Sequence, residues 1–251
     1  MPVGFVGHGA PLLALDAAKG APLRAWGAAL PIPRAVLVIS AHWERSPTTI
    51  GTTETRPLVY DFGGFPQALY EVQYAAPGAP WLADRIDSLF GAPSLRSPRG
   101  LDHGVWTPLV HLFADATVPV LQLSMPSSEG ARALFDLGRR LAPLRDEGVF
   151  VLGSGNITHN LRAADFAGNS APPAWAADFD EWARSTIARR DWDTLLDYAS
   201  KAPSYRTSHP TDDHWFPMIV AAGASADATT TRFPVEGWEF GSFSRRAVEL
   251  A

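Results

Sequence analysis

The chain has 251 residues, of which 46% are hydrophobic and 19% charged, so it can bury a large core, and we expect one α/β domain over residues 1–251. Its formal net charge of −5 and its lack of a lysine or arginine run argue against a nucleic-acid partner, because such partners are bound by clustered cations. Without cysteine it has no disulfide and no thiolate metal site, so any metal must be held by nitrogen and oxygen ligands.

The expected cellular location is inferred from the lack of long apolar segments in the sequence. The first residues, MPVGFVGHGAP, lack the basic stretch and long apolar run of a signal peptide. Nowhere do about 18 apolar residues follow one another, as a membrane span requires. We therefore expect a cytoplasmic protein without a membrane partner, as a monomer or a small homo-oligomer.

Strand-like and helix-like segments alternate along the chain. Short β-branched runs between turn residues predict strands at Val3–Val6, Ala35–Ser40, Thr48–Thr53, Val118–Leu123 and Val149–Gly153. Apolar residues at helical spacing predict helices at Trp81–Phe90, Glu129–Leu144, Trp175–Arg189 and Asp213–Ala222. This order predicts a three-layer αβα fold with a central mixed, mostly parallel sheet.

Six of the seven histidines lie in elbows rich in Gly, Asp, Asn or Pro. His111, inside the apolar stretch PLVHLF, is instead typical of a packed histidine. In parallel sheets ligands bind outside the carboxyl ends of the strands, and three of the elbows directly follow predicted strands. The sequence therefore predicts a metal or acid/base site formed by some of these six histidines: His8, His42, His103, His159, His209 and His214.

The residue types in these elbows suggest separate roles. His8, His42 and His214 would hold a divalent ion and leave open positions for water and substrate, as in catalytic sites. His103 and His159 are the acid/base candidates, although His159 could equally cap the segment NLRAADF. We expect the substrate to be contacted by an aromatic and polar set: Trp43, Phe65, Asn156, His209 and Trp215.

Six motifs together resemble the class III extradiol ring-cleavage dioxygenases of the DOPA-dioxygenase type. They are GHGAP, ISAHW, YDFGGFP, GLDHGVWTPL, GSGNITHNL and HPTDDHWFP, in the order found in that family. The resemblance implies a metal held by His8, His42 and His214, with His159 as a further ligand or as the acid/base. It also places His103 near the substrate oxygens and implies iron(II) for catalysis, with zinc(II) as another ion that members bind.

One departure from the family concerns the third metal ligand. Well-known class III enzymes have two histidines and a carboxylate, a typical iron(II) arrangement, whereas His214 occupies the carboxylate position here and follows Asp212 and Asp213. A neutral triad favours zinc more than a carboxylate-bearing one. The main hypothesis is a dioxygenase that opens a small aromatic diol, a catechol of DOPA-like type, with O2. The alternatives are a zinc hydrolase on the same scaffold and a non-enzymatic binding protein.

Overall fold

The computed structural model describes residues 1–168 and 170–251. Its strands are β1 (Val3–Gly7), β2 (Ala35–Glu44), β3 (Thr49–Ile50), β4 (Leu95–Arg96), β5 (Val120–Met125), β6 (Val149–Gly155), β7 (Thr231–Arg232), β8 (Trp238–Glu239), β9 (Phe243–Ser244) and β10 (Val248–Leu250). Its helices are α1 (Ala17–Ala29), α2 (Pro80–Phe90), α3 (His103–Leu112), α4 (Gly130–Leu141), α5 (Ala174–Arg189), α6 (Trp192–Leu196), α7 (Tyr198–Lys201), α8 (Tyr205–Ser208) and α9 (Phe216–Ala224).

Eight of these strands form one mixed sheet in the order β4-β3-β5-β2-β6-β1-β10-β7. The central strands β5, β2, β6 and β1 run parallel, and β10 pairs antiparallel with β1. Strands β8 and β9 form a separate two-stranded sheet. The carboxyl ends of β2, β6 and β1 therefore lie side by side.

Alternate residues of the central strands face two different apolar cores, because successive side chains of a strand point to opposite faces. On β2, Leu37 and Ile39 join the core beneath α2, α4, α5 and α9, while Val36 and Val38 join the core beneath α1 and α3. On β6, Val151 belongs to the first core. A sheet covered by helices on both faces confirms the predicted three-layer αβα architecture.

The structure differs from the predicted elements in several places, of which three concern β1 or the elements that carry the site histidines. Strand β2 continues past an irregular register to Glu44, so His42 lies within the strand and not after it. Helix α9 begins at Phe216, because turns centred on residues 211–215 come first and Pro217 occupies its first turn. The sequence pattern also did not indicate β10, a three-residue strand that is too short to show alternation.

None of the helices in the described part of the chain combines the length and the apolar character needed to cross a bilayer.

Candidate active site

Three of the five histidines of the site lie in or shortly after three neighbouring strands. His8 directly follows β1, His42 lies near the end of β2, and His159 follows β6 by four residues. The other two histidines come from helix starts, since His103 is the first residue of α3 and His214 lies two residues before α9. These five imidazoles line one cavity at the carboxyl edge of the sheet, as the strand-end pattern predicts.

His8, His42 and His214 bring their ring nitrogens together. Within the described residues, one ring nitrogen from each of the three lies within 4.8 Å of the others. The Nε2 atoms of His8 and His42 are 3.1 Å apart. This spacing fits three ligands of one ion, because ligands about 2.0–2.1 Å from a common metal lie roughly 3–4 Å from one another.

The tautomer of His8 follows from its second nitrogen. Nδ1 of His8 lies 2.9 Å from the hydroxyl of Ser154, and that hydroxyl donates to the backbone oxygen of Gly104. Because the hydroxyl proton is already used, Ser154 accepts a hydrogen bond from Nδ1–H of His8. The lone pair of His8 is therefore on Nε2, which faces His42.

His214 is oriented by a carboxylate. Asp213 Oδ2 lies 2.5 Å from Nδ1 of His214 and accepts a hydrogen bond from it, while Nε2 is buried without a hydrogen-bond partner among the described residues. The segment packs closely on β6, since a Cβ at Gly155 would lie 2.2 Å from the backbone oxygen of His214. A carboxylate behind a ligating imidazole fixes its ring and raises its basicity. Asp213 thus supplies negative charge through His214.

Burial keeps the three imidazoles neutral. It lowers the pKa of His8 and of His214 well below the usual histidine value, and the neighbouring histidines lower it further. Burial, together with His103, lowers the pKa of His42 to about 4. Neutral imidazoles with free lone pairs, and an orphaned buried Nε2 on His214, fit a divalent cation with nitrogen ligands.

The turn after His8 is held by a buried carboxylate. Glu239 Oε2 accepts a hydrogen bond of 2.9 Å from the backbone nitrogen of Ala10, and Glu239 Oε1 lies 3.3 Å from Lys19 Nζ. Gly9, which lies between His8 and Ala10 in sequence, has φ +61°, and a Cβ there would lie 2.4 Å from Glu239 Oε2. Only glycine fits this turn, which sets the position of His8.

His103 is paired with Asp61. The Oδ1 atom of Asp61 accepts a hydrogen bond of 3.1 Å from the backbone nitrogen of His103 and lies 2.8 Å from its Nδ1. Burial raises the pKa of Asp61, but the hydrogen bonds and charge of His103 outweigh it and lower the pKa to about 2. The ionised carboxylate holds a proton on Nδ1 of His103, and an imidazole that carries only this proton has Nε2 as an acceptor.

His159 stacks on His214. The ring centroids are 3.5 Å apart and the planes differ by 10°, while the ring centroid of Phe243 lies 4.9 Å from that of His159. Burial lowers the pKa of His159 to about 3, although Asp213 acts in the opposite direction. His159 lies outside the group of three nitrogens described above. Its ring is therefore neutral and lies beside the candidate metal site.

The cavity has a volume of about 740 Å³. Phe65 lines it, as the sequence analysis expects of a substrate-contacting residue, and so do four further phenylalanines at positions 62, 166, 240 and 243. The structure brings His8, His42, His103, His159 and His214 into this cavity.

Two tryptophans predicted to contact the substrate do not line the cavity. Trp215 has 0% of its surface exposed and packs among Phe179 and Tyr198 in the core beneath α5. Trp43 is buried beside Gly51 and Arg99. Both directly follow a site histidine in sequence, but on an extended segment or in a turn the next side chain points elsewhere. The prediction for these two residues is corrected.

Asn156 and His209 are also corrected, since both lie beneath the site. Asn156 is buried, its Nδ2 donates to Ser244 O at 3.2 Å, and its backbone nitrogen donates to His214 O at 3.0 Å. Nε2 of buried His209 donates to Ile157 O at 2.7 Å. These hydrogen bonds hold the segments that carry His159 and His214, and neither Asn156 nor His209 lines the cavity.

Sequence reasoning missed Asp61 and Asp213 as functional residues. Both line the cavity, and each is hydrogen-bonded to a site histidine. For Asp213 the available signal was its place directly before His214. For Asp61 it was its position in the YDFGGFP loop between aromatic residues. Carboxylate–histidine pairs are common around metal sites, so acidic residues in histidine-bearing motifs are worth testing for such pairs.

Comparisons with known proteins agree with this geometry. Residues 18–246 match the family model described as the catalytic LigB subunit of aromatic ring-opening dioxygenase. A protein of Escherichia coli (strain K12) named 4,5-DOPA dioxygenase extradiol is 39% identical, with 100% of this chain and 94% of the relative covered. A Beta vulgaris protein of the same name is 36% identical, with 96% and 92% covered. The crystal structure of an uncharacterized Escherichia coli K12 protein superposes with a TM-score of 0.86 at 34% identity, covering 100% of both chains.

Proposed function

The chain belongs to the family of the catalytic LigB subunit of aromatic ring-opening dioxygenases, and we propose that it opens the ring of a catechol with O2 at an iron(II) centre. It is a metal-dependent extradiol dioxygenase by family. The proposal adds the substrate class, the metal and the roles of the site residues.

The convergence of three neutral imidazoles beside two further histidines carries this proposal. His8, His42 and His214 direct ring nitrogens to one point, and His103 and His159 flank it in the same cavity. A metal with three protein ligands retains open positions, which a diol with two neighbouring oxygens and O2 would need. When bound, the metal acts as a Lewis acid on the two hydroxyl oxygens and supplies the redox capacity that reaction with O2 requires.

The proposed choice of iron rests on the charge around the triad. The sequence suggested a neutral triad, which favours zinc. Asp213 changes that balance, because its carboxylate lies 2.5 Å from Nδ1 of His214 and passes negative charge through that ring. The triad therefore resembles a carboxylate-bearing iron site more than three isolated imidazoles would.

His159 is proposed as the acid/base. Its imidazole is neutral and half-buried, contacts the ring of Phe243, and stacks on His214 at the edge of the cavity. A neutral ring nitrogen there can accept a proton from a catechol hydroxyl and return it to the product later. The apolar ring of Phe243 beside it limits the access of water to the imidazole.

His103 is proposed to bind the second hydroxyl. Asp61 holds the proton of His103 on Nδ1, so Nε2 accepts a hydrogen bond from a substrate hydroxyl. Asp61 itself acts through His103 and is a positioning residue. Its carboxylate also lies 3.9 Å from Nδ1 of His42. Asp61 therefore lies beside two of the site histidines, His103 and His42.

The function is tested by oxygen uptake. The protein, loaded anaerobically with iron(II), is mixed with catechol or DOPA, and dissolved O2 and visible absorbance are recorded. We expect about one O2 consumed per diol and a yellow ring-opened semialdehyde, since both oxygen atoms enter the product. Failure to consume O2 with any vicinal diol at full iron occupancy would overturn the proposal.

Replacing Asp61 with asparagine is expected to lower kcat/KM by roughly 10- to 100-fold, the usual cost of removing a carboxylate behind a functional histidine. The side chain is 21% exposed, so the isosteric change should fold. Asp193→Asn is the matched control, because that side chain is exposed and lies far from the cavity in sequence and structure. Iron content is measured in each variant.

A double-mutant cycle separates positioning from a structural role. If Asp61 acts through His103, Asp61→Asn should cause little further loss in a His103→Gln background. Independent, multiplicative losses in kcat/KM would show that Asp61 does not work through His103.

A further inference from the structure

Two rows of aromatic side chains line the cavity, and each begins at a site histidine. In the first row, Phe62 lies 5.6 Å from His103 and Phe65 lies 5.3 Å from Phe62, measured between ring centroids. Both rings belong to the loop that carries Asp61. All contacts in this row are edge-to-face, the arrangement that aromatic rings favour.

The second row begins at His159. Phe243 lies 4.9 Å from His159, Phe240 lies 6.0 Å from Phe243, and Phe166 lies 5.2 Å from Phe240. Exposure increases along this row, from 3% for Phe243, through half-buried Phe240, to 65% for Phe166. The row therefore runs outward from the acid/base histidine to the surface.

The outer end of the second row is unusually apolar for an exposed position. Leu161 also lines the cavity and is 59% exposed. Phe240 has φ +50°, a conformation that bulky residues seldom adopt and that persists only where the surrounding structure holds it. Exposed apolar surface that continues directly into a reaction cavity is typical of a ligand groove.

The volume of the cavity and the charges that line it limit which substituents a substrate can carry. A cavity of about 740 Å³ is in the range that holds drug-sized molecules and is larger than a single ring needs. Within the described part of the chain, the lining residues include Asp61 and Asp213 but no lysine or arginine. The described lining therefore offers no cationic side chain to pair with a substrate carboxylate, whereas an apolar group would meet phenylalanine rings.

We propose that the two aromatic rows form a subsite for an uncharged apolar substituent, preferably a second ring, on the catechol. This inference rests on the proposed function and adds the substituent that the substrate carries. Planar groups inserted between phenylalanine rings gain apolar burial and favourable ring contacts. Aryl-substituted catechols are therefore the best substrates.

The test compares three diols with the iron-loaded protein: catechol, 4-phenylcatechol and a catechol with a propanoate side chain. We expect kcat/KM for oxygen uptake to be at least about tenfold higher for 4-phenylcatechol than for catechol, and lowest for the propanoate. Anaerobic calorimetry with the zinc-loaded protein should give the same order of affinities without turnover.

Variants in the two aromatic rows test whether these rings cause the preference for 4-phenylcatechol over catechol. Phe65→Ala and Phe166→Ala should each reduce the ratio of 4-phenylcatechol to catechol kcat/KM by about tenfold. Ile32→Ala is the matched control, because Ile32 is 92% exposed and lies outside this cavity, and its ratio should not change. A preference for the propanoate, or equal ratios in all variants, would overturn the subsite. Absence of oxygen uptake with every diol would overturn the proposed function, while the zinc-loaded affinities would still decide the subsite.

Discussion

The His159→Ala protein is expected to turn over catechol about 10²- to 10⁴-fold more slowly than the unaltered protein while still binding iron and catechol. His159 stacks on His214 but lies outside the group of three converging nitrogens, so its loss removes a base and no ligand. Single-turnover kinetics measure the chemical step, and metal analysis and anaerobic catechol titration measure the two binding steps. Loss of iron from the variant would instead make His159 a ligand.

His111→Gln is the matched control for this variant. His111 is buried on α3, and its Nε2 donates to Leu13 O at 2.7 Å, away from the cavity. Removing that buried hydrogen bond should lower the free energy of unfolding by about 1–3 kcal/mol and leave turnover per folded molecule unchanged. Equal losses of turnover per folded molecule in the two variants would contradict the acid/base role of His159.

Replacing iron(II) with zinc(II) at equal occupancy is expected to abolish oxygen consumption. Zinc has no accessible redox change, although it fits the same three imidazoles and polarises the same hydroxyl oxygens. Matched iron and zinc preparations are compared by paired measurement of O2 consumed and ring-opened product formed. Restoring iron to the zinc protein after chelation should restore both signals.

The zinc preparation also tests hydrolysis. A zinc hydrolase needs a metal-bound hydroxide and no oxygen, so it would work under strict anaerobiosis. Undiminished anaerobic turnover of the zinc form would replace the oxygenase proposal with a hydrolase.

The sequence predicted where the site forms because strand ends are easy to recognise. Short β-branched runs located β1, β2 and β6, and parallel strands place their carboxyl ends on one edge, so His8, His42 and His159 were correctly expected near one another. His103 and His214 do not follow a predicted strand, so strand ends alone do not place them. They were included in the predicted site because of the sequence motifs that contain them.

The direction of individual side chains could not be predicted in the same way. Trp43 and Trp215 adjoin site histidines in sequence, yet both side chains turn into the interior. In a turn or at an irregular register no fixed period relates neighbouring side chains, so adjacency carries little information. The pairing of Asp61 with His103 joins residues 42 positions apart, and only the folded loop brings them together.

The ribosome synthesises the three candidate metal ligands at different times, because they are far apart in sequence. His8 emerges roughly 200 residues before His214, an interval of about 10–40 s at typical synthesis rates. Its strand, β1, gains its second neighbour only when residues 248–250 of β10 are available. No nascent fragment that ends before His214 can present all three imidazoles, and neutral nitrogen sites bind several divalent ions. A three-histidine site therefore forms only after residue 214 has been synthesised, and the ion that it takes depends on which ions are available then.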